Sequence, residues 1–250
     1  MRFIGLDLAW SRRRTTGGAI LAWDGNAARL VAWDPALGDD GSILAFTLRG
    51  AGEDGALVAI DAPLVVPNER GTRPCDRALS RAYRRQEAAA YPANRARLGP
   101  EVRGEVLAAR LQDHGFTASP LVHRRGEVRQ VVEVYPHPAT VELFGLEKTL
   151  KYKARPGRTL ASRWAELLRL RELLGALADR EPALDARPLL EALEPDPPRS
   201  QALKAQEDLL DAVVCAYIAV HLWYWGEAGC RRFGDLDTGY VLVPIRPGDH

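Results

Sequence analysis

Three of the predicted strands in this chain are almost wholly apolar, and each carries one carboxylate where an aliphatic side chain belongs. Asp7 follows Phe3-Ile4-Gly5-Leu6, Asp61 follows Leu57-Val58-Ala59-Ile60, and Glu133 follows Val131-Val132 and precedes Val134. A carboxylate in such a strand is costly unless it is paired, protonated or bound to a cation. One such acid alone reads as a strand-end residue capping a neighbouring loop. Three in one sheet read as a site, because ligands in open α/β sheets lie at the carboxyl ends of strands.

A long apolar helix over Ser200–Trp225 adds two more acids. Asp208 and Asp211 are three residues apart, so they share a helical face, and they stand directly before Ala212-Val213-Val214-Cys215-Ala216. With Ser200 as the expected N-cap after Pro197-Pro198, Asp208 falls about two turns in, too deep for the first-turn dipole effect. Glu207 is expected to face solvent. Should four such carboxylates converge, each pair of charges 4 Å apart repels by about 4 kcal/mol at an effective dielectric constant near 20. A cation or proton uptake is then required. Oxygen-only donors suit Mg²⁺ or Mn²⁺ rather than zinc. Two such ions roughly 3.5–4 Å apart are the arrangement that serves phosphodiester cleavage.

The organisation around these acids is that of one α/β domain over residues 1–250. Its 46% hydrophobic and 27% charged residues exclude disorder as the main state. Apolar segments Arg2–Ala9, Gly18–Trp23 and Arg29–Trp33 read as a β-meander, with a hairpin signal at Asp24-Gly25-Asn26. Further strands are expected over Ala56–Ala62, Val128–Tyr135 and, as a short closing strand, Gly239–Val243. Helices are expected over Ser42–Arg49, Asp76–Ala89, Pro100–His114, Pro138–Phe144, Leu160–Asp179, Pro188–Leu193 and Ser200–Trp225. Ala212–Trp225 reads as too short and polar for a bilayer. No signal peptide opens the chain, and Cys75, Cys215 and Cys230 lack metal-like spacing. A cytoplasmic protein with no membrane contact is therefore expected.

These residues resemble the ribonuclease H-like fold, with acid spacing closest to its Holliday-junction-resolvase-type members. The sequence is similar to an uncharacterised domain-of-unknown-function family of predicted RNase H-like nucleases. The matching stretches are Gly5-Leu6-Asp7, Val58 to Leu64, Arg73-Pro74-Cys75-Asp76, Glu133 to Pro138 and Asp208 to Ala212. Their order and spacing carry the likeness across nearly the whole chain. The resemblance implies a mixed sheet of meander plus parallel strands flanked by helices, with insertions near 65–115 and 146–199. It implies Asp7 and Asp61 as metal ligands on strands, Asp211 as the helix ligand, and Asp208 as a second helix ligand or outer group. Glu133 joins the catalytic candidates, although its strand need not aim at the same metals.

Bulk charge is +1, from 34 basic and 33 acidic residues, so composition alone does not mark a nucleic-acid binder. The distribution is more telling. Residues 65–110 hold ten Arg against five acids, residues 148–171 hold eight basic residues against Glu166, and residues 172–199 are acidic. Basic insertions beside a metal site are what a polyanionic substrate needs, although solvated loops would read the same way. Lys148, Lys151, Lys153, Arg73, Arg77 and His137 are the candidate substrate contacts. Cys75 has no activating His nearby in sequence, and Thr15-Thr16-Gly17-Gly18 lacks the Lys of a P-loop. Trp223-Tyr224-Trp225 reads as packing.

The expectation is thus a Mg²⁺- or Mn²⁺-dependent phosphodiesterase or nuclease with a two-ion site, a nucleic-acid partner, and a homodimer as an open option. Two rivals stand beside it. One is an actin- or sugar-kinase-type phosphotransferase or ATPase on the same fold, for which 250 residues is short. The other is a non-catalytic binding module that keeps the acid cluster.

Overall fold

Parity along the first strand sets the layout. In the computed structural model, which describes residues 1–193 and 199–247, β1 (Arg2–Asp7) is buried on both faces. Phe3 points into one apolar core, and Ile4 and Leu6 into another, as the two-residue period of a strand demands. β2 (Thr16–Trp23) and β3 (Ala27–Leu37) complete an antiparallel meander. Their hairpin turn is held by Asp24, whose Oδ1 accepts from the amides of Asn26 and Ala27 at 2.9 Å. Gly25 takes the positive φ of 105° that the turn requires. Asp39 then caps α1 (Asp40–Ala51) by accepting from the Ser42 amide at 2.7 Å.

β4 (Ala56–Ile60) runs parallel to β1 and pairs Ile60 with Leu6. After it come α2 (Pro74–Ala82), α3 (Arg95–Leu98), α4 (Arg103–Asp113) and the two-residue β5 (Thr117–Ala118). β6 (Arg129–Glu133) pairs parallel with β4, setting Glu133 level with Ile60. α5 (Pro136–Phe144), α6 (Leu160–Gly175), β7 (Ala183–Asp185), α7 (Arg187–Ala192), α8 (Ser200–Trp225), β8 (Cys230–Asp235) and β9 (Gly239–Pro244) follow. Among the described residues, seven strands form one mixed sheet in the order β5-β6-β4-β1-β2-β3-β7. α8, α6 and α7 cover one face; α1 and α4 cover the other.

Three strands depart from expectation. β5 and β7 have too few residues to show a period, and β8 is a polar-faced strand. β9 does not close the main sheet. It pairs with β8 in a separate ribbon and touches the main sheet through one parallel bridge, Val134 to Leu242. The helix expected to reach Ala89 ends at Ala82. Ser200 is the first helical residue of α8 rather than its cap; Arg199 is the cap and, among the described residues, makes no side-chain capping bond. Pro197, Pro198, Glu194 and Asp196 lie outside the described residues.

α8 also corrects the hydropathy reading. By length and a mean hydropathy of 1.4, Ser200–Gly229 suffices for a bilayer, yet 94% of its most apolar window is buried inside this fold. Two glycines explain how closely it lies on the sheet. A Cβ on Gly5 would stand 2.0 Å from the Ala212 carbonyl oxygen, and one on Gly17 would stand 2.2 Å from that of Asp208. Helix backbone therefore rests on strand backbone at the level of Asp7, which pairs with Gly17.

Candidate functional site

That close approach carries two helix acids to the end of β1. Asp208 and Asp211 project from α8 toward Asp7, and all three reach one point, the ammonium of Lys153. Its Nζ lies 3.3 Å from Asp7 Oδ2 and 3.9 Å from Asp208 Oδ1, and it pairs with Asp211 Oδ2. Asp61 stands beside them. Its amide donates to the Leu6 carbonyl at 2.9 Å, which continues the β1–β4 register and puts Asp61 level with Asp7 on the α8 face. Parallel strands lie about 4.8 Å apart, so these two acids are neighbours.

The cluster is built from both sides. Tyr152, fully buried, donates its hydroxyl to Asp211 Oδ1 at 2.6 Å. Lys204 pairs with Asp208 one helical turn away. Among the described residues, the Asp61 carboxylate makes no hydrogen bond or ion pair. Burial, with the charges of Asp7 and Asp211, raises its pKa well above the usual carboxylate range. Burial and Asp7 push Asp208 up to about 7. For Lys153 burial favours the neutral amine, but Asp211 and Asp7 outweigh it and hold the ammonium charged. His137 stacks near Tyr152, its ring 5.7 Å away, and its Nδ1 shares a 3.1 Å bond with the Thr149 hydroxyl. Burial and the charge of Lys153 push its pKa down to about 3, which keeps it neutral.

Glu133 does not join this group. It is level with Ile60 and Leu6, and so points to the α1–α4 face, opposite Asp7 and Asp61. There its oxygens accept from Arg73 at 2.6 and 3.0 Å and from the Leu64 amide at 2.8 Å. Arg73 is engaged within the chain. It is 2% exposed, and its Nε and both terminal nitrogens bond to Asp76, Glu133 and the Val65 carbonyl. Asp76, Arg73 and Glu133 form a buried ionic brace along the wall of the cleft that Asp61 also lines. Glu207 is also corrected. It is fully buried, with Arg163 Nη2 at 2.6 Å.

The remaining basic candidates lie at the rim. Lys148 and Lys151 share the Glu87 carboxylate at 2.5 and 2.7 Å. Such exposed pairs are weak and can give way to another anion. Arg77 is exposed and bonds the Thr72 carbonyl. Thr16, Gly17 and Gly18 belong to β2, and both glycines face packed atoms, so they offer no phosphate loop. Burial pushes the Cys75 thiol up to about 12, which disarms it as a nucleophile.

An open cleft lies beside Asp61, lined by Trp10, Tyr91 and Tyr135 together with Arg73 and Glu133. Trp10 and Tyr91 are 38% and 45% exposed. The guanidiniums of Arg155 and Arg97 stand 5.0 and 5.7 Å from the Tyr91 ring. Among the described residues, no three His, Cys, Asp or Glu side chains already form a metal-holding group. In the acid cluster that central position belongs to Lys153. A Mg²⁺ site needs fewer protein ligands, since this ion is commonly held by one or two carboxylates with waters and substrate phosphate. The all-oxygen donors and the uncompensated Asp61 fit such an ion.

Tyr152, Lys204, Gly5, Gly17, Trp10 and Tyr91 were not legible as site residues. One signal was available: the chain uses 30 Arg but only four Lys, and two of those four contact the acid cluster. The family model described as "Protein of unknown function (DUF429)" matches residues 5–235. No curated protein and no solved structure matches the chain.

Proposed function

The chain belongs to the DUF429 family, and we propose that it is a divalent-metal-dependent phosphodiesterase that acts on nucleic acid. One observation carries the reading: Asp7, Asp208 and Asp211 converge on a single cation position, with uncompensated Asp61 beside them at the mouth of a cleft. The antiparallel meander continued by parallel strands, with acids at the ends of β1 and β4 and on a late helix, supports the ribonuclease H-like reading of the fold.

Asp7 and Asp61 would hold Mg²⁺ or Mn²⁺, with Asp208 and Asp211 fixing the cluster through Lys153 and Lys204. When bound, such an ion supplies a stronger water nucleophile and stabilises charge on the phosphoryl oxygens. The protein's own groups do the rest. Lys153 offsets part of the carboxylate charge, so that a phosphodiester can approach. Lys148, Lys151 and Arg155 supply positive charge along the rim, and Trp10 and Tyr91 offer faces on which bases stack. The neutral imidazole of His137 accepts or donates a hydrogen bond without adding charge.

The test is incubation of the purified protein with single-stranded and duplex DNA and RNA in Mg²⁺, Mn²⁺ or chelator. Metal-dependent cleavage of at least one of the four supports the reading. Uptake of Mn²⁺ without cleavage of any would favour a binding module, and nucleotide-dependent thermal stabilisation with phosphate transfer would favour a phosphotransferase.

A further inference from the structure

We propose that Lys153 is a resident cation of this cluster, so that the site takes up one divalent ion, held by Asp7 and Asp61, while Asp211 serves Lys153. The inference rests on the metal-dependent reading above and adds the number of ions and the division of the acids between them.

Oxygen occupancy divides the acids. Both oxygens of Asp211 are engaged within the chain, Oδ1 by the Tyr152 hydroxyl and Oδ2 by Lys153. Asp208 Oδ1 is shared by Lys204 and Lys153. Asp7 presents Oδ2 to Lys153, and among the described residues its Oδ1 and both oxygens of Asp61 are unbonded. The open donors therefore lie on the Asp61 side, facing the cleft.

The backbone that carries Lys153 is held from both sides. The Tyr152 carbonyl accepts from Arg163 Nε at 2.9 Å, and the Lys153 carbonyl accepts from Arg158 Nη1 at 2.9 Å. The buried Tyr152 ring anchors the same segment. Residue choice agrees. In a chain with 30 Arg and four Lys, this position carries the compact point charge of an ammonium.

Mn²⁺ titration of the chelator-treated protein, followed by electron paramagnetic resonance, tests the proposal. Wild type should bind one Mn²⁺ per chain, and Lys153→Ala should bind two. Asp61→Asn should weaken the single ion at least tenfold, whereas Asp211→Asn should change its affinity by less than threefold. Two ions in wild type would overturn the proposal and leave the phosphodiesterase reading standing. So would equal losses in Asp61→Asn and Asp211→Asn, or binding seen only after removal of Lys153. Absence of Mn²⁺ binding in wild type and in Lys153→Ala would overturn the metal-dependent reading itself. Should Lys153→Ala fail to fold, the Asp61 and Asp211 variants decide the question alone.

Discussion

Tyr152 and Asp211, 59 residues apart in sequence, are joined by a buried 2.6 Å hydrogen bond that ties the basic loop to the core helix. A hydrogen bond to a charged acceptor contributes about 1.5–3 kcal/mol. Tyr152→Phe should therefore lower the unfolding free energy, measured by urea titration, by an amount in that range. It should also loosen Lys153, which its neighbour positions. Unchanged stability in Tyr152→Phe would show that the loop is held elsewhere.

The contact of α8 with the sheet gives a second prediction. The Cβ of Gly5→Ala would meet the backbone of Ala212 and Ala216 at 2.0 and 2.3 Å. Backbone cannot swing aside as a side chain does, so the helix must lift. Overpacking costs about 1–3 kcal/mol, and Gly5→Ala should fall at the upper end. Gly17→Ala presses on the Asp208 carbonyl and should weaken Mn²⁺ binding as well as stability. Equilibrium unfolding and metal titration of the two variants check both statements.

Arg73 separates bracing from substrate contact. Its loss leaves Asp76 and Glu133 buried without a counter-charge, and breaking such a buried pair costs about 3–5 kcal/mol. Arg73→Met should lose stability on this scale. Where the variant remains folded, KM for an oligonucleotide should stay near that of wild type. A large rise in KM at full stability would return Arg73 to the substrate site.

Acid sensitivity follows from His221. This residue is buried on α8, its Nε2 lies 2.9 Å from the Ile245 carbonyl, and burial pushes its pKa down to about 4. The unfolded chain takes up the proton near pH 6.5, so the folded state loses stability as pH falls from about 6.5 to 4 and no further below that. At 1.36 kcal/mol per pKa unit, the loss from this one group is about 3 kcal/mol. His221→Gln should make the stability profile less steep in that window, with buried His137 supplying the remaining slope. An equally steep profile in the variant would assign the acid sensitivity to other groups.

Asp7 and Asp61 were legible because each ends a run of aliphatic residues, and Asp208 and Asp211 because a three-residue spacing fixes a helical face. Glu133 has the same local signature but differs by one residue in register, which turns it to the other face. Register depends on pairing between distant strands, and no local pattern reports it. Lys153 stood out only as part of a basic run, since its partners lie in β1 and α8. Glu207 looked solvated because its partner Arg163 sits on another helix. The main strands and helices followed from period and turn chemistry. β5 and β7 did not, being shorter than one readable period.

The central claim is that acids from β1, β4 and α8 form one cation-dependent centre. Its most direct measurement is Mn²⁺-dependent cleavage of a labelled oligonucleotide by wild type and by the double variant Asp7→Asn with Asp211→Asn, with thermal unfolding confirming that both are folded. The account expects cleavage by wild type and none by the folded double variant. Undiminished cleavage by that variant would contradict it.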